Sequence, residues 1–190
     1  MRFMLQKTIK KSIKISGYGL HNGKSVDLKI NPAQEGSGIY FIRTDLNKNI
    51  KIEASLNNVY KTNRATSLKK NNIKIKTTEH FLAACWHMSI DNLEIEINNE
   101  ELPILDGSSS LFIKALKKAG ILEQGQQKEI FKIKNYIKVH DEKSGAYIEC
   151  VPANNFEINA TIDYESNIIE KQTINFNDTE DFDKKIGSAK

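Results

Sequence analysis

The sequence is poor in cysteine, holding only Cys85 and Cys150 in 190 residues. These two fit no metal-pair or redox spacing, so two reduced thiols in a cytoplasmic protein are the expected state. No apolar run approaches the ~20 residues of a membrane-spanning helix. Arg2, Lys7, Lys10 and Lys11 are not followed by the apolar stretch of an export signal. Nor is there a large excess of either charge, with 28 Lys+Arg against 24 Asp+Glu. Many of the lysines (Lys10, Lys14, Lys29, Lys51, Lys74, Lys132, Lys138) alternate with isoleucines, which describes solvated sheet faces better than a phosphate-binding stripe. The aromatic platforms of single-strand nucleic-acid binders are also missing, so a basic β-rich nucleic-acid binder ranks last among function classes. An apolar content of 39% is ample for a core.

What is present centres on Lys76-Thr77-Thr78-Glu79-His80. Ile73, Ile75 and Thr77 alternate with Lys74, Lys76 and Thr78, the period of a half-buried strand. Phe81, Leu82, Cys85, Trp86 and Ile90 then follow at helical spacing, predicting a helix from Thr78 to about Ser89. Thr78 is its N-cap, with a hydroxyl available to first-turn amides. Glu79 and His80 fall in the first turn, where the positive end of the helix favours an ionised carboxylate and a neutral imidazole able to ligate. That pair reads as a metal-and-base site. Helix electrostatics alone also places glutamate just after an N-cap, and a single histidine at a helix start is often structural.

Before this stretch, strands are predicted over Thr8–Ser16, over Val26–Ile30 up to Pro32, over Ile39–Arg43, Ile50–Ala54 and Arg64–Leu68. A three-glycine connection, Gly17 to Gly23, carries His21, and Lys69-Lys70-Asn71-Asn72 forms a hairpin turn. After it come a strand through Leu93, Ile95 and Ile97 and a second helix carrying Leu111, Phe112, Ala115, Leu116 and Ala119, with Gly120 as its C-cap.

Glu123 to Lys128 is polar and aperiodic and reads as a linker. Beyond it, strands over Ile130–Val139, Tyr147–Val151 and Phe156–Tyr164 repeat the order of the first part, including Pro-Ala at 32–33 and again at 152–153. Thr161-Ile162-Asp163 answers Arg43-Thr44-Asp45. The expected organisation is an internal duplication: a first domain at 1–123, a linker at 124–129 and the beginning of a second domain at 130–190. The fold class is α+β, with two related two-layer sheet/helix sandwich domains, the second incomplete. A strand at Gln172–Phe176 and a helix start near Asp178 follow, with Phe182 and Ile186 as an apolar stripe that nothing yet buries.

Zinc hydrolases use three protein ligands, an open position and a nearby carboxylate. Of His21, His80, His87 and His140, none forms H-E-x-x-H, and His87 with Asp91 falls at a helix exit, where a histidine more often answers the carbonyl dipole. Six motifs nevertheless occur together: Gly17-Tyr18-Gly19-Leu20-His21-Asn22-Gly23-Lys24, Arg43-Thr44-Asp45-Leu46, Thr62-Asn63-Arg64-Ala65-Thr66-Ser67-Leu68, Thr77-Thr78-Glu79-His80, Ile90-Asp91-Asn92 and Pro103-Ile104-Leu105-Asp106-Gly107-Ser108. In their order and spacing they resemble the UDP-3-O-acyl-N-acetylglucosamine deacetylases of lipid A biosynthesis, over residues from about 7 to 190.

The resemblance implies that His80 is a zinc ligand and Glu79 the general base in removing acetate from a UDP-linked, acylated amino sugar. It places His21, Thr62 and Leu68 at the substrate and gives Asp106 a bracing role near the site. For His21, bonding within its loop is the alternative. The implied cofactor is Zn2+, the partner a small-molecule substrate with neither nucleic acid nor stable membrane insertion, the state of the complete protein a monomer, and the location the cytoplasm. The family's other zinc ligands, in a His-Lys-x-x-Asp helix, and a further catalytic histidine would fall beyond Lys190, so the chain is expected to be a fragment and inactive alone. A catalytically dead remnant that binds sugar nucleotides or another subunit is the alternative.

Overall fold

The computed structural model describes residues 4–48, 50–164 and 168–189; Arg2 and Lys190 lie outside them. The chain is α+β. Its residues cluster into two compact units, Met1–Lys128 with Ile186–Lys190, and Glu129–Lys185.

The first unit is built on a five-stranded sheet in the order β2-β3-β9-β4-β5, from Ile13–Tyr18 (β2), Ser25–Pro32 (β3), Ile39–Arg43 (β4), Lys51–Glu53 (β5) and Leu93–Ile97 (β9). β9 runs antiparallel to β3 and parallel to β4. Alternation decides its faces. Val26, Leu28 and Ile30 of β3 and Leu93, Ile95 and Ile97 of β9 are buried. The outward residues between them pair across strands, Lys29 with Glu96 at 2.9 Å and the Tyr40 hydroxyl with Glu94 at 2.8 Å.

The buried face is covered by Glu79–His87 (α1) and Ser110–Ala119 (α2), which pack against each other. Phe81 of α1 joins the two layers. It is fully buried, edge-on to Phe41 of β4 at 6.2 Å and to Phe112 of α2 at 5.5 Å. A second sheet, order β6-β7-β8, is formed by Val59–Lys61, Ser67–Lys70 and Ile73–Ile75; the turn expected over Lys69–Asn72 is confined to Asn71 and Asn72, because Lys69 and Lys70 pair with Lys74 and Ile73.

Several strand readings in the first unit differ from the structure. The strand expected over Thr8–Ser16 is broken: Leu5–Ile9 (β1) pairs with Ile121–Gln127 (β10) and β2 pairs with β3, because the two halves meet different partners. Most of the polar stretch expected to be an aperiodic linker is therefore a strand, its backbone groups satisfied by β1. Val59–Lys61, unforeseen, pairs with β7.

In the second unit, Ile137–His140 (β11) pairs with Tyr147–Cys150 (β12), and Glu157–Ile162 (β13) with Gln172–Asn177 (β14), both antiparallel. The long strand expected from Ile130 starts only at Ile137, because its four-residue partner offers no ladder further back. Phe182, expected to be without cover, is 4% exposed and stands edge-on to Phe176 at 5.7 Å. A helical turn, Asp183–Gly187, follows. Among the described residues no helix is long and apolar enough to cross a membrane.

Candidate active site around Glu79 and His80

β8 stops at Ile75, and Lys76 makes a parallel bridge to Glu101: its amide donates to Glu100 O at 2.8 Å, and the Leu102 amide donates to Lys76 O at 3.1 Å. Thr77 then takes a left-handed backbone, φ 58°, while its side chain stays buried. The alternation of Ile73, Ile75 and Thr77 with Lys74 and Lys76 thus describes burial correctly, but the strand has already ended, and Thr78, expected on the outer face, is buried as well. A β-branched residue in this conformation is strained by about 1–3 kcal/mol and needs surroundings that hold it there.

The turn delivers Thr78 to the N-cap position of α1, but its hydroxyl does not cap the helix. The Thr78 amide and hydroxyl both donate to Thr66 O, at 3.2 and 3.1 Å. Thr66 answers through its own amide, which donates to Glu79 Oε2 at 2.9 Å. The strand-leading segment before β7 is therefore joined to the helix start by three hydrogen bonds. Thr78 serves that junction instead of the first-turn amides.

Glu79 Oε1 lies 4.0 Å from His80 Nε2, and the two side chains are 35% and 30% exposed. One carboxylate oxygen is held and the other faces the imidazole at an accessible helix N-terminus. This arrangement can take a proton and present a ring nitrogen to a metal ion. Among the described residues no group of three or more His, Cys, Asp or Glu is placed to hold a metal. The described residues therefore offer one accessible imidazole here and not the three-ligand set of a zinc hydrolase.

His21 is exposed on its glycine loop and lines a cavity of about 330 Å³ together with Tyr60, Lys61, Arg64, Lys74 and Lys76. Its backbone is held from below: the His21 and Asn22 amides donate to the two carboxylate oxygens of Glu101 at 2.9 and 3.0 Å. Thr62 is exposed near this cavity, whereas Leu68 is 1% exposed and packed in the core. From the 62–68 segment it is Thr66 that reaches Glu79. Asp106 Oδ1 accepts from the Ser108 amide at 3.1 Å and hydroxyl at 2.9 Å, shaping the turn into α2.

A shallow cavity of about 540 Å³ is lined by Asn22, Lys24, Arg43, Asp45, Asn99 and Glu100. There the Arg43 guanidinium, hydrogen-bonded to Asp45, holds that carboxyl below its usual value of 3.8. The hydrogen bond between Lys76 and Glu100 raises the ammonium and lowers the carboxyl. Asp91 accepts from the Lys7 amide at 2.9 Å and pairs with Lys128 at 2.7 Å, so it serves the β1 edge. Burial pushes the Cys85 thiol up, out of reach of thiolate chemistry.

Two residues of this site were not singled out from the sequence. Thr66 acts through its backbone, which no side-chain pattern reports. Glu101 follows the polar run Asn98-Asn99-Glu100 and reads as part of a solvated turn. Its nearest signal is its place two residues before the Pro103-Ile104-Leu105-Asp106-Gly107-Ser108 motif.

Residues 6–190 match the family model described as UDP-3-O-acyl N-acetylglycosamine deacetylase. A curated UDP-3-O-acyl-N-acetylglucosamine deacetylase of Haemophilus influenzae (strain PittEE) is 41% identical over 172 residues, covering 90% of this chain and 56% of the relative. The protein of the same description from Myxococcus xanthus (strain DK1622) is 38% identical over 187 residues, covering 97% and 59%. A bifunctional enzyme LpxC/FabZ of Bacteroides thetaiotaomicron is 37% identical over 185 residues, covering 97% and 40%. The chain thus spans about half the length of the curated relatives it matches.

Proposed function

The chain belongs to the UDP-3-O-acyl N-acetylglycosamine deacetylase family, and from that premise we propose that it supplies the general base, Glu79, and one zinc ligand, His80, of a cytoplasmic amidase. The amidase removes acetate from UDP-3-O-acyl-N-acetylglucosamine in lipid A biosynthesis. The observation that carries this reading is the pairing at the start of α1, where Thr66 anchors one oxygen of Glu79 and the other lies 4.0 Å from His80 Nε2.

Zinc, when bound, polarises the acetamide carbonyl and makes water acidic enough to react at neutral pH. Glu79 accepts the proton of the attacking water. A carboxylate adjacent in sequence to a ligand reaches that water without itself occupying the metal's open position. The water oxygen would bond to the acetamide carbon, and cleavage of the C–N bond, with the proton taken up by Glu79 returned to the nitrogen, would release acetate and a free amine. His21, at the rim of a cavity that also presents Lys61, Arg64 and the Tyr60 ring, offers polar contact to the substrate. Thr62 stands near the same rim, and Asp106 holds the turn that leads into α2.

Among the described residues one imidazole stands where a zinc hydrolase needs three ligands, so these residues alone would hold zinc weakly. A second reading, a sugar-nucleotide or subunit binding module without catalysis, draws on the lack of a three-donor cluster among the described residues.

The test takes the full translation product of the reading frame. Zinc content and release of acetate from UDP-3-O-acyl-N-acetylglucosamine are measured for the natural protein and for His80→Ala. Stoichiometric zinc and turnover, both lost in the variant, are expected. Unchanged zinc in His80→Ala would dispose of the ligand role, and a natural protein that binds the substrate but releases no acetate would give first place to the binding module.

A further inference from the structure

Glu101 is fully buried, and a buried carboxylate persists as an anion only when its oxygens find donors. It has three. Oε1 accepts from the His21 amide at 2.9 Å and from the Thr77 hydroxyl at 3.1 Å, and Oε2 accepts from the Asn22 amide at 3.0 Å. These donors come from two segments: the glycine loop that carries His21, and the left-handed residue that leads into Thr78, Glu79 and His80.

The loop is shaped to reach this carboxylate. A Cβ on Gly19 would stand 2.7 Å from Glu101 Oε2 and 2.5 Å from Asn22 Oδ1, so only glycine allows the approach. On the opposite side, Glu101 is level with Lys76 in the parallel bridge, which sets the carboxylate beside Thr77. The bond from the Thr77 hydroxyl also helps to hold a backbone conformation that a β-branched residue otherwise avoids.

We propose that Glu101 is a positioning residue whose buried carboxylate couples the His21 loop to the Thr77 turn, and so fixes where His21 stands relative to the Glu79–His80 pair. The coupling stands on geometry alone; its catalytic consequence rests on the deacetylase reading above. Glutamine cannot substitute, because in either orientation its NH2 group would face a backbone N–H, that of His21 or that of Asn22. Aspartate is one methylene too short to serve both sides.

Amide hydrogen exchange and amide chemical shifts on the 190-residue chain test the coupling without any activity. In Glu101→Gln, the His21 and Asn22 amides are expected to exchange about 10- to 100-fold faster, the range implied by a lost charge-assisted hydrogen bond. The amide shifts of Thr77 to His80 should move and Leu82, bonded to Thr78 O, should lose protection, while Leu28 and Ile95 in the sheet keep theirs. Unchanged exchange at His21 and Asn22 overturns the proposal, as does a change there that leaves Thr77 to Leu82 untouched. If Glu101→Gln loses protection throughout, Gly19→Ala decides. It displaces the carboxylate without removing its charge, and a paired response confined to the loop and the turn supports the coupling, whereas a global response or none overturns it.

In the full translation product, Glu101→Gln is expected to lower kcat about tenfold with KM held within about twofold, and Glu101→Asp not to rescue it. A normal kcat beside a positive exchange result overturns the positioning role. If the natural protein releases no acetate, the deacetylase reading fails while the exchange experiment still decides the coupling.

Discussion

The backbone amide of Thr66 donates to Glu79 Oε2 at 2.9 Å, and Thr66 O receives both the amide and the hydroxyl of Thr78. A residue with no chemistry of its own thereby orients the carboxylate proposed as the base. It leaves Oε1 turned toward His80 Nε2.

Because that anchor needs only an acceptor, Glu79→Gln keeps it and removes the base. In the full translation product, kcat should fall by about 10²- to 10⁴-fold, the usual contribution of a general base, with KM and zinc content near normal. Steady-state kinetics alongside metal analysis decides, and near-normal turnover would end the assignment.

Phe81 stands between Phe41 of the sheet and Phe112 of the other helix with no exposed surface. Phe81→Ala should cost about 3–5 kcal/mol of stability through lost burial and the cavity left behind. Urea unfolding of the chain measures it. A loss under about 1 kcal/mol would mean that the layers do not depend on this contact.

Asn92 is 1% exposed and joins three segments: its Nδ2 donates to Gln6 Oε1 and Gln124 Oε1, and its Oδ1 accepts from the Gly38 amide, each at 2.8 Å. Asn92→Ala strands these groups at a cost of about 1–3 kcal/mol. Amide exchange should quicken first in β1 and β10. Loosening centred instead on β3 would contradict the role described.

Arg43 donates to both oxygens of Asp45, at 2.7 and 2.5 Å, and lowers that carboxyl below its ordinary 3.8. A carboxyl depressed in the folded state stabilises fully above its unfolded pKa, and the benefit disappears as pH falls through the lower, folded value. Asp45→Asn should therefore lower Tm at neutral pH, by about 1 kcal/mol of stability given a side chain still 32% exposed. The gap to the natural protein should close well below pH 3.8. Thermal melts at the two pH values test the sign, and a gap that widens in acid would refute it.

Alternation made the central strands legible, since Val26, Leu28 and Ile30, and Leu93, Ile95 and Ile97, each face one side at period two. The switch to helical spacing at Phe81 located α1, and Gly120 marked the end of α2. Family membership was legible as well, because six short motifs in a fixed order specify more than any one pattern. Where strand partners change, local pattern ran out. Nothing in Thr8–Ser16 says that its first half pairs with residues more than a hundred positions away, or that a polar stretch before Lys128 supplies them.

The amino-acid sequence by itself set Glu79 and His80 side by side at a helix start, because the apolar residues that follow them fall at helical spacing. Only the tertiary structure decided how that pair is held. Thr66 acts through its amide at the accessible start of α1 and Glu101 through burial beside Thr77 and the His21 loop, and both depend on backbone groups brought in from other segments. Such meetings have no period and no composition, so they become visible only when the chain has folded.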